Sequence, residues 1–194
     1  MTKLNSPKVL GLALGCAALV LGAFYASADP KHSEPKHFLA NAGTTFILYP
    51  PSTPGGPQSH NIDGVVLFSS LGDCTLHATA NLVTTATPGQ YLVTDGLFTF
   101  TTADGLSTLT ASTEGTLIAN PANGYMGDIQ YKVTFTGGTG RLAHAHGSAE
   151  LHGFVYFTDI GLTQPGQDSN AYGIVPAGSS TGKACWLLDG DLDY

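Results

Sequence analysis

The sequence predicts an all-β domain built from about eight strands. After residue 28, apolar residues recur with a period of two, and no window sustains the period of an α-helix. Clusters of turn residues separate the alternating segments. Strands of this kind are buried in a closed barrel or in a sandwich such as a jelly roll, and closure also removes exposed strand edges.

The alternation is clearest in two segments. From Cys74 to Leu82, apolar residues take one face, while threonine, histidine and asparagine take the other. The segment Tyr125 to Phe135 alternates in the same way. Asp104-Gly105 separates two further alternating runs and is typical of a tight hairpin. Other strands are predicted near 44–49, 64–69, 90–93, 98–103, 106–113, 148–158 and 183–188.

The first 28 residues are typical of a cleavable secretory signal peptide. Lys3 and Lys8 give a positively charged start, and the apolar run from Val9 to Tyr25 is too short and too weakly flanked for a membrane span. Ala26-Ser27-Ala28 has the small-x-small pattern of a signal peptidase site, so cleavage is predicted after Ala28. The protein is therefore expected to be secreted or periplasmic.

Two alternatives for these residues are an uncleaved anchor and acylation of Cys16, because Leu14-Gly15-Cys16 resembles the end of a lipobox. The apolar run continues to Tyr25, where a lipoprotein would have a polar tether. That continuation favours the signal peptide, and no membrane span is then expected after cleavage.

The remaining chain is predicted to be a single domain. Residues 29–43 are expected to form a flexible lead-in and residues 44–194 the β domain, interrupted by a proline-rich loop at 50–57. Removing Lys3 and Lys8 from the seven basic residues leaves five against 14 acidic residues, a formal charge of −9. Nucleic acid and anionic lipid surfaces are therefore poor candidate partners.

Two cysteines remain after cleavage, Cys74 and Cys185. An exported protein meets an oxidising compartment, so a disulfide between them is expected. The alternative is two separate buried thiols.

A glycine-rich segment carries a family resemblance. Phe135–Gly147 (Phe-Thr-Gly-Gly-Thr-Gly-Arg-Leu-Ala-His-Ala-His-Gly) resembles the Gly-Thr-Gly-[Arg/Lys]-Phe-x-x-Ala-x-Gly segment of dirigent proteins and of bacterial secreted proteins with the allene oxide cyclase barrel-like fold. Leu142 stands where that pattern prefers Phe, and His146 where dirigent proteins usually place Arg. The resemblance implies an eight-stranded antiparallel calycin-like barrel that holds a small apolar or aromatic ligand and is often a homo-oligomer.

Three histidines and a carboxylate follow this segment with strand spacing. His144, His146, Glu150 and His152 occupy even positions, so a strand would place them on one face. Histidines at i and i+2 with a carboxylate can bind a divalent metal, and the spacing of His144, His146 and Glu150 resembles the first cupin motif. A second cupin motif needs another histidine, which His60 or His77 would have to supply. The alternative is a polar face, or a cavity lining, that binds no metal.

Three functions therefore remain open from the sequence. The first is a barrel that binds a small apolar or aromatic ligand, without an assigned reaction or cofactor. The second is a cupin-like metal-dependent enzyme, whose histidine cluster must face inward. The third is a non-catalytic surface or matrix protein with a filled barrel.

Overall fold

The predicted alternation produces a closed barrel. The computed structural model describes residues 34–120, 126–159 and 178–194, which belong to the compact unit 33–194. The predicted signal peptide and the first residues of the predicted lead-in lie outside the described residues. Eight antiparallel strands pair in sequence order, and β8 pairs with β1 to close the sheet. The strands are β1 Lys36–Leu48, β2 Gln58–Phe68, β3 Gly72–Thr84, β4 Gln90–Thr102, β5 Thr108–Ala119, β6 Met126–Gly138, β7 His146–Asp159 and β8 Ser180–Asp193.

Two predicted boundaries are corrected by the strands. β1 begins at Lys36, so most of the segment predicted as a flexible lead-in is the first half of a barrel strand, with Phe38 and Ala40 buried. The runs predicted at 90–93 and 98–103 are one strand, β4, whose register shifts between Val93 and Gly96. Asp95 in this bulge has a φ of 53°, which breaks the alternation locally.

The hairpin predicted at Asp104-Gly105 joins β4 to β5. One carboxylate oxygen of Asp104 accepts hydrogen bonds from the Thr102 hydroxyl at 2.6 Å and from the Leu106 N–H at 3.0 Å. These bonds hold the pKa of Asp104 below its usual range. Gly105 adopts a φ of 71°, which glycine accepts without a steric penalty. The acidic residue and the glycine therefore define this turn locally.

One end of the barrel is closed by aromatic rings. Phe38 packs against Phe68 and Phe135, with ring centroids 5.4 and 5.7 Å apart, and Phe68 packs edge-on against Phe100 at 5.1 Å. All four side chains are buried. We call this the closed end; it is where β2, β4 and β6 finish and β3, β5 and β7 begin.

The glycine-rich segment covers the closed end. A short 3-10 helix, Gly140–Leu142, lies in this segment, and its Leu142 side chain is fully buried. Thr139 accepts a hydrogen bond from the Thr108 N–H at 3.0 Å, and the Arg141 N–H donates to the Ser107 hydroxyl at 3.2 Å. Gly140 has a φ of 59°, and a side chain there would collide with Ser107. The segment therefore packs against the β4–β5 turn.

The predicted disulfide between Cys74 and Cys185 is wrong. Both cysteines are free; Cys74 is buried and Cys185 is exposed. Cys74 points into the barrel from β3, whereas Cys185 points outward from β8, which is separated from β3 by β1 and β2. Side chains on opposite faces of the wall cannot approach to the distance that a disulfide requires. Within the described part of the chain, no helix has the length and apolarity to cross a membrane.

Candidate functional site

The predicted histidine face forms, but it lies on the outside of the barrel. His146, Glu150 and His152 are exposed on β7, and His144 is exposed in the turn before it. The alternate residues Ala149, Leu151 and Val155 are buried inside, as period-two spacing requires. The inward-facing cluster that a cupin-like site requires is therefore not formed by these residues.

Carboxylates, rather than each other, are the main partners of the outer histidines. His146 lies 3.6 Å from a carboxylate oxygen of Asp193, and one of its ring nitrogens is 3.2 Å from the His144 carbonyl oxygen. His77 on β3 lies 2.8 Å from a carboxylate oxygen of Asp63. Across 34–120, 126–159 and 178–194, no group of three or more His, Cys, Asp or Glu residues is arranged to hold a metal ion.

A polar groove of about 900 Å³ crosses the outer face of β4 to β7. Glu150 and His152 line it together with Asp95, Glu114 and Lys132. His144 and His146 are not among its lining residues. Of the three residues predicted to bind a metal, only Glu150 therefore lies in this groove.

The interior of the barrel is filled by its own side chains. Phe98 and Trp186 pack at 6.2 Å between ring centroids in its middle, and Leu151, Val155 and Ile129 are buried around them. The cavity that remains there measures about 10 Å³, the space of one water molecule. A ligand of more than a few atoms therefore does not fit at this level of the barrel.

The other end of the barrel contains a larger cavity, of about 250 Å³. We call it the mouth. It lies where β1, β3, β5 and β7 end and β2, β4 and β8 begin. Its lining combines apolar walls with the polar ends of three side chains; the lining residues are Leu48, Gln58, Leu82, Tyr91, Leu117, Ala119, Phe157 and Ser180.

His60 is buried one layer below the mouth. It follows Gln58 on the inner face of β2 and pairs in register with Leu48, and both of these residues line the mouth. Successive inward residues on a strand are about 6.6 Å apart. The His60 side chain also lines the small inner cavity with Thr44, Phe46 and Tyr131.

Both ring nitrogens of His60 are buried, and no group of the described residues forms a hydrogen bond with either of them. Burial lowers the pKa of His60 to about 4, because the apolar surroundings do not solvate an imidazolium ion. The same burial raises the pKa of the Tyr131 phenol above its usual range. His60 is therefore a neutral imidazole at neutral pH, with one donor and one acceptor unused.

A pair of phenylalanines separates His60 from the mouth. The Phe46 ring lies edge-on to His60, with centroids 5.1 Å apart, and edge-on to Phe157 at the same distance. Phe157 lines the mouth, is only half-buried and lies beside a register shift in the β7–β8 ladder. Successive contacts thus lead from the mouth through Phe157 and Phe46 to His60.

The mouth was not predicted from the sequence, and His60 was considered only as a distant metal ligand. β2 begins at Gln58, six residues before the strand predicted near 64–69, so the sequence did not place His60 in a strand. With that longer strand, Gln58, His60 and Ile62 share the inner face, and a polar residue between inward positions indicates either a satisfied core group or a site.

The comparisons with known proteins return nothing: no protein-family model, no curated protein and no solved structure matches this chain. The resemblance of Phe135–Gly147 to the allene oxide cyclase barrel-like and dirigent families therefore stays a prediction. The mouth and the buried His60 are the structural features that bear on function.

Proposed function

We propose that this chain is an exported β-barrel protein that binds a small ligand with an apolar or aromatic body at the mouth of its barrel. The observation that carries the proposal is the cavity of about 250 Å³, which is enclosed by the ends of seven strands. Drug-sized ligands occupy pockets of about 300 to 1,000 Å³. The expected ligand is accordingly smaller, on the scale of one or two fused rings.

The lining supports a ligand of mixed character. Leu48, Leu82, Leu117 and Phe157 provide apolar walls. Gln58, Tyr91 and Ser180 add polar groups that can orient a bound molecule. The described lining residues include no charged side chain, which favours an uncharged ligand.

The outward position of the histidines on β7 gives the metal-dependent alternative less support. His146 is exposed and lies beside Asp193, and the wall of the barrel separates this face from the mouth. The proposal therefore assigns no reaction and no cofactor to the mouth.

Fluorescence titration with 2-naphthol tests the proposal. The variant Ala119→Phe introduces a ring into the mouth, because Ala119 lines the cavity. Ile118→Phe is its matched control, since Ile118 is the preceding residue on β5 and its side chain is exposed on the outer face.

We expect saturable binding to the wild-type protein and to Ile118→Phe, with at least a tenfold weaker affinity for Ala119→Phe. Absence of saturable binding to the wild type, or equal binding to all three proteins, would overturn the proposal. Circular dichroism of each variant establishes that the barrel is folded.

A further inference from the structure

The buried imidazole of His60 has an energetic cost that packing does not repay. Its side chain is only 3% exposed and both nitrogens lack a partner, so a donor and an acceptor have lost their hydration. The large majority of buried side-chain polar atoms in folded proteins have a hydrogen-bond partner. A group left unsatisfied next to a cavity therefore calls for a role outside the folding of the barrel.

The neighbours of His60 in the inner cavity leave its nitrogens available. Thr44 is the polar residue that β1 contributes to this cavity, and its hydroxyl donates to the Ala184 carbonyl oxygen at 3.4 Å. Phe46 meets the imidazole with an aromatic edge rather than with a hydrogen-bonding group. Of the other lining residues, Tyr131 and Trp186 carry a polar group, and neither forms a hydrogen bond with His60.

We propose that His60 is the hydrogen-bonding anchor of the mouth: a ligand whose apolar body fills the mouth directs one uncharged hydroxyl or carbonyl group onto the imidazole. This inference rests on the mouth being a binding site. It narrows the ligand class to small alcohols, phenols and ketones. A carboxylate or an ammonium group fits less well, because none of the described residues that line the inner cavity carries an opposite charge.

The path to His60 passes the rings of Phe157 and Phe46. Phe157 is half-buried and lies at the register shift of the β7–β8 ladder. The proposed anchor requires the Phe157 ring and then the Phe46 ring to move aside when the ligand binds, since the two rings contact each other and Phe46 contacts the imidazole. Gln58 of the mouth wall and His60 are two residues apart on the inner face of β2, about 6.6 Å along the strand.

A matched pair of ligands and a set of variants test the anchor. The probes are 2-naphthol and 2-methylnaphthalene, which differ by exchange of a hydroxyl for a methyl group. The variants are His60→Leu, which removes both nitrogens, and His60→Gln, which retains a donor and an acceptor. Ser59→Ala is the control, because it removes an exposed hydroxyl from the outer face of β2 beside His60 and leaves the mouth lining unchanged.

We expect the wild type to bind 2-naphthol about tenfold more tightly than 2-methylnaphthalene, the ratio that one buried hydrogen bond supplies. His60→Leu should lose this preference through weaker binding of 2-naphthol alone, and His60→Gln should recover part of it. Ser59→Ala should keep it.

Two results would overturn the inference, and only one of them would also overturn the mouth as a binding site. Saturable binding of both probes with equal affinity, unchanged in His60→Leu, would remove the anchor and leave the mouth as a binding site. Binding of neither probe to the wild type would remove both.

Discussion

The ring of Phe46 meets the imidazole of His60 edge-on, with centroids 5.1 Å apart and planes at 86°. An aromatic edge against an imidazole packs well but satisfies no nitrogen of the ring. The contact therefore leaves a polar group without a partner from the described residues in the layer below the mouth. The free energy of unfolding should therefore include an unfavourable contribution from burying this imidazole.

Replacing His60 by leucine should stabilise the barrel at neutral pH by about 1 to 3 kcal/mol, because an unsatisfied polar group is exchanged for an apolar one of similar size. Chemical denaturation at pH 7.5 measures the change. Asn61→Leu on the adjacent outward position of β2 is the control and should change the free energy of unfolding by less than about 0.5 kcal/mol. A destabilised His60→Leu would mean that the imidazole has a partner.

The same substitution should flatten the acid dependence of stability. His60 takes up a proton near pH 6.5 when unfolded but only near pH 4 when folded. Between these values the unfolded state binds more protons, so the free energy of unfolding falls as the pH is lowered, by up to about 3 kcal/mol from this group.

Denaturation at pH 7.5, 5.5 and 4.5 tests this dependence. The difference between wild type and His60→Leu should widen as the pH falls, because the variant lacks this titration while both proteins share the exposed pairs such as His77 and Asp63. If the free energies of unfolding of the two proteins changed in parallel with pH, His60 would not be a buried neutral imidazole.

Glycine 182 makes room for Phe46. A methyl group at Gly182 would collide with the Phe46 ring and with the Tyr156 carbonyl oxygen, whereas one at Gly43, on the neighbouring strand, would meet nothing within 4 Å. Gly182→Ala should therefore destabilise the barrel by about 1 to 3 kcal/mol, and Gly43→Ala should not destabilise it. Thermal denaturation of the two variants compares them directly; equal midpoints would show that Phe46 relaxes freely.

Leu142 should be the most important side chain of the glycine-rich segment. It is fully buried at the closed end, so Leu142→Ala should cost about 2 to 5 kcal/mol of stability. Leu106→Ala in the neighbouring turn is the control, because Leu106 is 76% exposed and should contribute little. A small effect at Leu142 would mean that the segment does not seal the barrel.

The two cysteines that follow the predicted cleavage site should react very differently with a thiol reagent. Cys185 is exposed, whereas Cys74 is buried and burial raises the pKa of its thiol. Titration of the chain after Ala28 with a chromogenic disulfide reagent should label one thiol rapidly in the native state and the second only after unfolding. Cys185→Ser should remove the fast phase, and retention of that phase would contradict the structure.

The fold was largely predictable because one face of each strand is buried. Alternation in Cys74–Leu82 and around Ile129 to Phe135 corresponds to inward and outward side chains in β3 and β6. The start of β1 was missed because its inward residues include the small Ala40, so apolar contrast is weak there. The bulge at Asp95 divided β4 into two apparent strands, because an extra residue resets the period.

The site was harder to predict because alternation does not say which face is inside. The residues His146, Glu150 and His152 were grouped correctly, but a one-residue change of phase decides between lumen and solvent. Likewise, the cysteine pairing depended on orientation, and Cys74 and Cys185 point to opposite sides of the wall. The mouth combines residues from seven strands, so no local motif contains it.

The β1–β8 ladder has a consequence for the order in which the barrel assembles. Every other ladder joins strands consecutive in sequence, whereas this one pairs Lys36 with Leu192. Sequential hairpins close short stretches of chain, but this seam requires nearly the whole described chain to be present. A growing chain would therefore carry two unpaired edges until β8 is synthesised, and that interval is when self-association competes most strongly with closure.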